Sequence, residues 1–478
     1  HDDYPNRTYF LGFEKDDEGR EQPVVVGQAR WTRDGKSARY PLWADSPTEV
    51  HKRGLIPIRL LRPGDIRAEI ISWCDAATND VGESRELEGI VSQLREGVAT
   101  YNFPFLALPP TTPRDIALDV FINLNTKNVN LSPFDIVVAQ LEEARGASLH
   151  ELVEELNAAV PGLRRYREIS EFILDVAALR EDRPPTRSSY FKLDLNEVDA
   201  SWSEIIDGLR FTVDFLETER VFDGDRLPTV SVLPVLAAMH ADLPESLDAA
   251  GNARALLRAY VWRAFTTSRY EQSSATRSLQ DLRGLRKEIS SGGRTAPIFD
   301  EEAHPLPSVD EIVRAGWPKK KEILARGILA ASLRAGAEDI ADGSPATAVS
   351  LDRREYHHLF PDALLTGPGG LDADRSYRAV NCALITWKTN RKISAKEPLA
   401  YLRERVELAT LGEGEIRRRL QTHLVPFDEL AKAGGYAELG DSTAQRIADD
   451  YDEFSRERAA LIQSYLEGLC RGEQPPSQ

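Results

Sequence analysis

The sequence predicts a mainly α chain with small β elements, of the α+β class. Three observations lead there. Apolar residues recur at helical spacing over much of the chain, as in Leu87, Ile90, Val91, Leu94 and Val98, which share one face. Strand-like material is confined to short runs near the start (YFLGFEKDDEG and QPVVVGQARW) and to two segments beyond residue 350. No run approaches the ~20 apolar residues that a membrane-spanning helix requires. A chain of 478 residues is long enough for two or three domains, each with its own core.

The elements follow in order. The opening HDDYPNRTYF is polar, without a signal-peptide core, and the one methionine is Met239, so the chain is expected to be the remainder of a longer polypeptide. From about residue 47 the pattern turns helical, and the extended run TYNFPFLALPP is closed by prolines. Next, Ser132 caps a helix with Pro133 at its first position and Asp135 three residues on. Asn123, Asn125 and Asn128 fall in the loop before that cap, where asparagine's tolerance of left-handed backbone suits a turn. Helices dominate between about 165 and 335, for example SWSEIIDGLRFTVDFLE and NARALLRAYVWRAFTTSRY. There Tyr260 and Trp262 read as core, and Arg263, Arg269 and Arg277 as solvated helix-surface cations. The stretch SSGGRTAPIFDEEAHPLPS, near 290 to 308, reads as a linker with His304 exposed in it. Further helices are expected around 402 to 420 and 442 to 470, before a disordered tail.

Composition limits the function classes. Cys74, Cys382 and Cys470 are far apart, odd in number and free of CxxC spacing, which argues against a disulfide framework or a cysteine-built zinc site and for a reducing cytoplasm. The formal net charge is −17, from 60 Lys and Arg against 77 Asp and Glu. Net charge governs solubility and long-range repulsion, whereas nucleic-acid binding needs only a local positive patch. Residues 351 to 420 hold thirteen Lys and Arg against ten Asp and Glu, a slightly basic region in an acidic chain. Arg375, Arg378, Lys388, Arg391, Lys392 and Lys396 cluster there, and the run Arg417, Arg418, Arg419 follows.

That region carries the chemistry. RREYHHLFP reads as a strand ending in His357 and His358 and closed by Pro361; a Gly-rich loop leads to a second strand beginning at Asn381, and Asn390 stands at the mouth of a Lys/Arg-studded helix. The order His, Asn, Asn on a strand–loop–strand–helix frame resembles the His-Me finger, or HNH, nuclease site. An unperturbed histidine titrates near pH ~6.5 and is largely neutral at pH 7, so it can accept a proton from water. The resemblance puts His358 in the general-base slot and makes His357 and Asn390 the ligands of a divalent metal, Mg²⁺ or Mn²⁺. It makes Asn381 the residue whose amide pins the loop carrying the base. His357 departs from the commonest pattern, which has Asp there. Without the motif, the same residues read as a polar pair at a strand end and two turn asparagines.

A second resemblance lies upstream. FINLNTKNVNLSPFDI is similar to a signature of the ParB/sulfiredoxin-like domain of GmrSD-type, modification-dependent (type IV) restriction systems, in which an HNH finger with an HHxFP motif follows. The two segments together imply an incomplete ParB/sulfiredoxin-like NTP-binding domain over 1–165, a helical connector over 166–305, an HNH-like nuclease domain over 306–440, and a C-terminal helix and tail over 441–478. They imply a DNA endonuclease or nickase of antiphage defence, acting in the cytoplasm on modified DNA (phosphorothioated or glucosylated). An NTP such as GTP, ATP or UTP would act as regulator, homo-oligomerisation is left open, and no membrane is involved. The family's Asp-Gly-Gln-Gln-Arg run is absent from this chain, which leaves Asn125 as the one weak candidate near an NTP site. The alternative is a DNA- or nucleotide-binding regulator with a vestigial finger.

Overall fold

The computed structural model describes residues 7–15, 21–32, 39–101, 107–109, 111–112, 116–117, 120, 149–167, 169–410 and 412–474. Asn123, Asn125, Asn128 and the cap at Ser132 lie outside the described residues. Helix predominates, and strand is confined to seven short segments among the described residues, so the chain is an α-rich α+β protein. None of its described helices is long and apolar enough to cross a membrane. Two compact units divide between Thr111 and Thr112.

The first unit is built on β1 (Arg7–Lys15) and β2 (Glu21–Ala29), paired antiparallel from Arg7 opposite Ala29 to Lys15 opposite Glu21. The short β3 (Trp31–Thr32) and β4 (Arg39–Tyr40) pair with each other, and β5 (Ile56–Pro57) adds to the free edge of β1. Phe10, Leu60, Trp73 and Val91 close its core. The helix Val81–Thr100 starts where the Asp80 carboxylate accepts from the amides of Gly82 and Glu83, at 2.7 and 2.9 Å. Of the predicted face, Leu87 and Val91 are buried and Ile90 and Leu94 pack beside them, whereas Val98 stands exposed because the helix runs on past the core.

In the second unit, one apolar core gathers Phe172, Leu209, Leu236, Trp262, Phe265, Ile298, Ile328 and Leu466. The helices Leu247–Thr266 and Ile323–Arg334 approach closely at Gly327, where a Cβ would run into the Phe265 carbonyl oxygen. The Glu219 carboxylate is fully buried in this core and accepts from Arg258 (2.8 Å), Trp262 (3.0 Å) and Arg334 (3.0 Å). Those donors replace the water it has lost. Tyr260 and Trp262 are core residues, as their spacing suggested.

The stretch expected as a linker is packed instead. Ala296 and Ile298 are buried, and Arg263 donates to the carbonyls of Ile298 (2.8 Å) and His304 (2.9 Å). Arg269 is held by Asp281 and lies 3.3 Å from the His304 ring, so His304 is buried rather than exposed. One cause accounts for both corrections. Arginines expected on a helix surface turn inward and satisfy the backbone of a segment that has no regular structure to satisfy it. Arg277 likewise donates to the Arg269 carbonyl.

A strand–strand–helix unit follows: β6 (Arg354–His358) pairs antiparallel with β7 (Cys382–Thr386), from Arg354 opposite Thr386 to His358 opposite Cys382, and the helix Trp387–Ile393 comes next. Buried Asp339 accepts from the Thr386 amide (2.7 Å) and the Thr389 hydroxyl (2.6 Å), which fixes the first turn of that helix against β7. The 28-residue C-terminal helix Thr443–Cys470 passes beneath, its buried Arg458 donating to the carbonyls of Val380 (2.7 Å) and His423 (3.0 Å).

His423 is fully buried, 2.6 Å from the Glu338 carbonyl, and burial pushes its pKa down to about 4. It is neutral in the fold and titrates near ~6.5 when unfolded, so between those values the unfolded chain binds more protons. Stability therefore falls as pH drops from about 6.5 towards 4, by up to about 1.4 kcal/mol per pH unit from this histidine. The His423→Asn variant should show a shallower dependence of unfolding free energy on pH, read by denaturant melts across that range; an unchanged slope assigns the effect elsewhere.

Candidate functional site

Side chains alternate along a strand, so His357 and His358 leave β6 in opposite directions. His357 is buried against the helix Trp387–Ile393, its Nδ1 2.7 Å from Asn390 Oδ1. The Asn390 amide donates through Nδ2 to the Glu355 carboxylate at 2.6 Å. A carboxylate only accepts, so this contact sets the amide with its oxygen towards the ring. His357 Nδ1 is then the protonated nitrogen, and its Nε2, which carries the lone pair, is buried without a hydrogen-bond partner. Burial pushes the His357 pKa down to about 4, the Asn390 contact opposing that shift, so the ring is neutral at pH 7.

His358 is half-buried. Its ring stacks on Trp317, centroids 4.2 Å apart and planes 15° from parallel, and meets the edge of Tyr377 at 4.7 Å. Burial lowers its pKa from the ordinary histidine value, and the nearby Asp362 carboxylate works the other way. Both histidines, Asn390 and Asp362 line one open cleft at the end of β6.

Asn381 holds the loop that follows His358. Its Oδ1 accepts from the Phe360 amide (2.8 Å), and its Nδ2 donates to the carbonyls of Phe360 (3.0 Å) and Ser376 (3.1 Å). The side chain is fully buried and three of its hydrogen-bonding positions are used, so the loop from Pro361 has little freedom. Tyr401 adds a hydrogen bond to the Leu359 carbonyl, at 3.0 Å.

A divalent cation is tested by these donors. Among the described residues no three His, Cys, Asp or Glu side chains converge as a cage, so a cation here would rest on few protein ligands and complete its shell with water and substrate oxygens. A cation between His357 and Asn390 would replace their 2.7 Å Nδ1–H···Oδ1 hydrogen bond, the ring shifting its proton to Nε2 to free the Nδ1 lone pair.

The predicted cations are used unevenly. Arg375 pairs with Asp452 and Lys396 with Glu404, while Arg378 donates to the Arg314 carbonyl. Arg417, Arg418 and Arg419 are held by Glu413, Asp428, Glu338 and Glu415. Lys388 and Arg391 flank the exposed Trp387 ring at 5.9 and 5.0 Å, and Lys392 is exposed. Sequence reasoning missed Trp317, Tyr377, Glu355 and Asp362. Asp362 was the most accessible of these, directly after Pro361 in the motif, whereas Trp317 has no sequence signal tying it to His358.

No family model matches this chain. It is similar to an uncharacterized protein of Methanocaldococcus jannaschii, 20% identical over 312 residues that make up 60% of this chain and 50% of the relative. The chain therefore spans about half the length of that relative.

Replacing Asn381 tests the loop clamp. Asn381→Ala removes three buried hydrogen bonds and should destabilise the second unit by about 2–4 kcal/mol in denaturant unfolding. Asn381→Asp, nearly isosteric, should destabilise comparably, because a carboxylate would face two carbonyl oxygens. A loss below about 0.5 kcal/mol for both would remove Asn381 as the residue that fixes the loop.

Proposed function

We propose that this chain is the nuclease-bearing part of a modification-dependent DNA restriction enzyme: a metal-dependent endonuclease or nickase of the HNH kind. The observation that carries the reading is the shared cleft, into which the end of β6 brings His358, with the loop after it clamped at Asn381, and beside which His357 and Asn390 face each other. In this reading His358 takes a proton from the attacking water. Its lowered pKa keeps the ring unprotonated at neutral pH, and Asp362 beside it stabilises the imidazolium that forms. Asn390 orients His357, and Glu355 orients Asn390. A divalent cation held by His357 and Asn390 would supply the charge that stabilises the departing oxygen. The ParB/sulfiredoxin-like reading of the chain before about residue 165, its control by an NTP, the modified-DNA substrate, the antiphage role and the cytoplasmic setting all rest on the sequence resemblance. So do the connector, finger and tail boundaries.

The second reading, a DNA- or nucleotide-binding regulator with a vestigial finger, is favoured by His357 standing where the motif has Asp and by the hydrogen bond that ties it to Asn390. Cleavage separates the two.

Purified protein with Mn²⁺ or Mg²⁺ should nick supercoiled plasmid, and His358→Ala should lower the rate by about 10²-fold or more. Activity should persist below pH ~6.5, with its acid limb displaced downwards, because burial keeps this imidazole unprotonated to lower pH. Imidazole is a softer ligand than carboxylate, so Mn²⁺ should support cutting at lower concentration than Mg²⁺, and His357→Asp should move the preference towards Mg²⁺. Plasmid cutting by His358→Ala at the parent rate removes His358 as the base. Tight DNA binding with no cutting in any metal selects the regulator.

A further inference from the structure

Three consecutive lysines lie outside the finger motif: Lys319, Lys320 and Lys321 in the loop between the helices Val309–Arg314 and Ile323–Arg334. All three are exposed, and none has an ion-pair partner among the described residues. Arg375, Lys396 and the Arg417 to Arg419 run each face a carboxylate at close range.

The loop is also built. The Glu322 carboxylate accepts from the Gly316 amide at 3.1 and 3.2 Å, which closes residues 316–322 into a ring. The Lys320 amide donates to the Trp317 carbonyl at 2.9 Å, so the chain turns tightly between the buried tryptophan and the lysines. Arg326 secures the far side through the Lys320 carbonyl, at 3.3 Å, and the Leu227 carbonyl, at 3.1 Å. The one acidic side chain in the ring closes it, so within residues 316–322 three lysines stand against a single carboxylate. The base of the loop is the Trp317 ring that stacks on His358. A fixed basic turn is thereby tied to the side chain at the mouth of the cleft.

We propose that the loop 316–322 is a phosphate-gripping element of the site, with Lys319, Lys320 and Lys321 contacting the backbone of duplex DNA whose scissile group lies at His358. This rests on the nuclease reading and names the surface that would hold its substrate. Lysine suits a role without sequence preference, because an ammonium meets a phosphate as a point charge and reads no base. Each phosphate neutralised releases condensed counterions, so the contacts appear as the steepness with which affinity falls with salt.

The test measures binding apart from cleavage. The full chain carrying His358→Ala, without metal, is titrated with a fluorescent DNA duplex at salt concentrations between about 50 and 200 mM. Adding Lys319→Gln, Lys320→Gln and Lys321→Gln together should reduce the slope of log K against log salt by about 2 to 3. A control lacking three ion-paired cations elsewhere, Arg210→Gln, Arg283→Gln and Arg417→Gln, changes the net charge equally and should leave the slope within error of the parent. Thermal melting of each protein reports whether it is folded. An unchanged slope in the lysine variant, an equal loss in the control, or no DNA binding by the parent at the lowest salt overturns the proposal. Tighter, equally lysine-dependent binding of a matched RNA duplex overturns the assignment to DNA. Plasmid nicking judges the nuclease reading separately, since the lysine loop can grip DNA whether or not His358 cuts it.

Discussion

The buried guanidinium of Arg458 is the constraint on which the β6–β7–helix unit depends. It stands on the C-terminal helix, fully excluded from solvent, and its partners are the carbonyl oxygens of Val380 and His423. Burial pushes its pKa down to about 10, still far enough above neutral that the group remains a cation. A buried cation that answers to carbonyls must keep them in place, because each lost bond leaves charge uncompensated in a low-dielectric interior. Val380 directly precedes Asn381. Fixing its carbonyl sets where the Asn381 side chain starts, and the amide of that side chain sets the backbone at Phe360, two residues past His358. The helix that ends the chain thus positions a histidine about a hundred residues earlier without touching it.

The same use of arginine runs through the second unit. Arg258 and Arg334 satisfy Glu219, Arg263 satisfies the irregular stretch around Ile298, and Arg269 satisfies Asp281. Part of the positive charge that a sequence count records is therefore internal structure. Among the cations left to attract a polyanion are Lys388 and Arg391 about Trp387, the exposed Lys392, and the three lysines of the loop under His358. An overall charge of −17 is compatible with such patches, because long-range repulsion is screened beyond about 10 Å at moderate salt while contacts to phosphate act within that distance.

How much of this was legible follows from the kind of signal each residue leaves. The α-rich class was readable because helical periodicity is a local property, and Leu87 and Val91 were read correctly for that reason. Val98 was not, because periodicity does not say where the partner surface ends. The approach of His357 to Asn390 was legible as a motif, since a strand, a loop and a short helix leave few ways of arranging residues at those spacings. Trp317, Arg458 and the packed stretch 290–308 were not. A buried arginine is indistinguishable from a surface one in a single sequence, and Gly, Ser and Pro mark irregular backbone whether or not another segment packs on it.

The environment of His358 shows why the unread residues matter chemically. Stacking on Trp317 and partial burial favour the neutral ring, and Asp362 favours the protonated one. A proton acceptor needs both influences in balance: too much burial makes a base that is always free but weak, and too strong a carboxylate makes one that is strong but already protonated. The motif supplies the histidine and, one residue past Pro361, the carboxylate. The opposing apolar wall comes from the loop 316–322, outside the finger altogether. The strand-and-helix unit alone would present an imidazole closer to its solution behaviour, and it is the surrounding body that shifts this one.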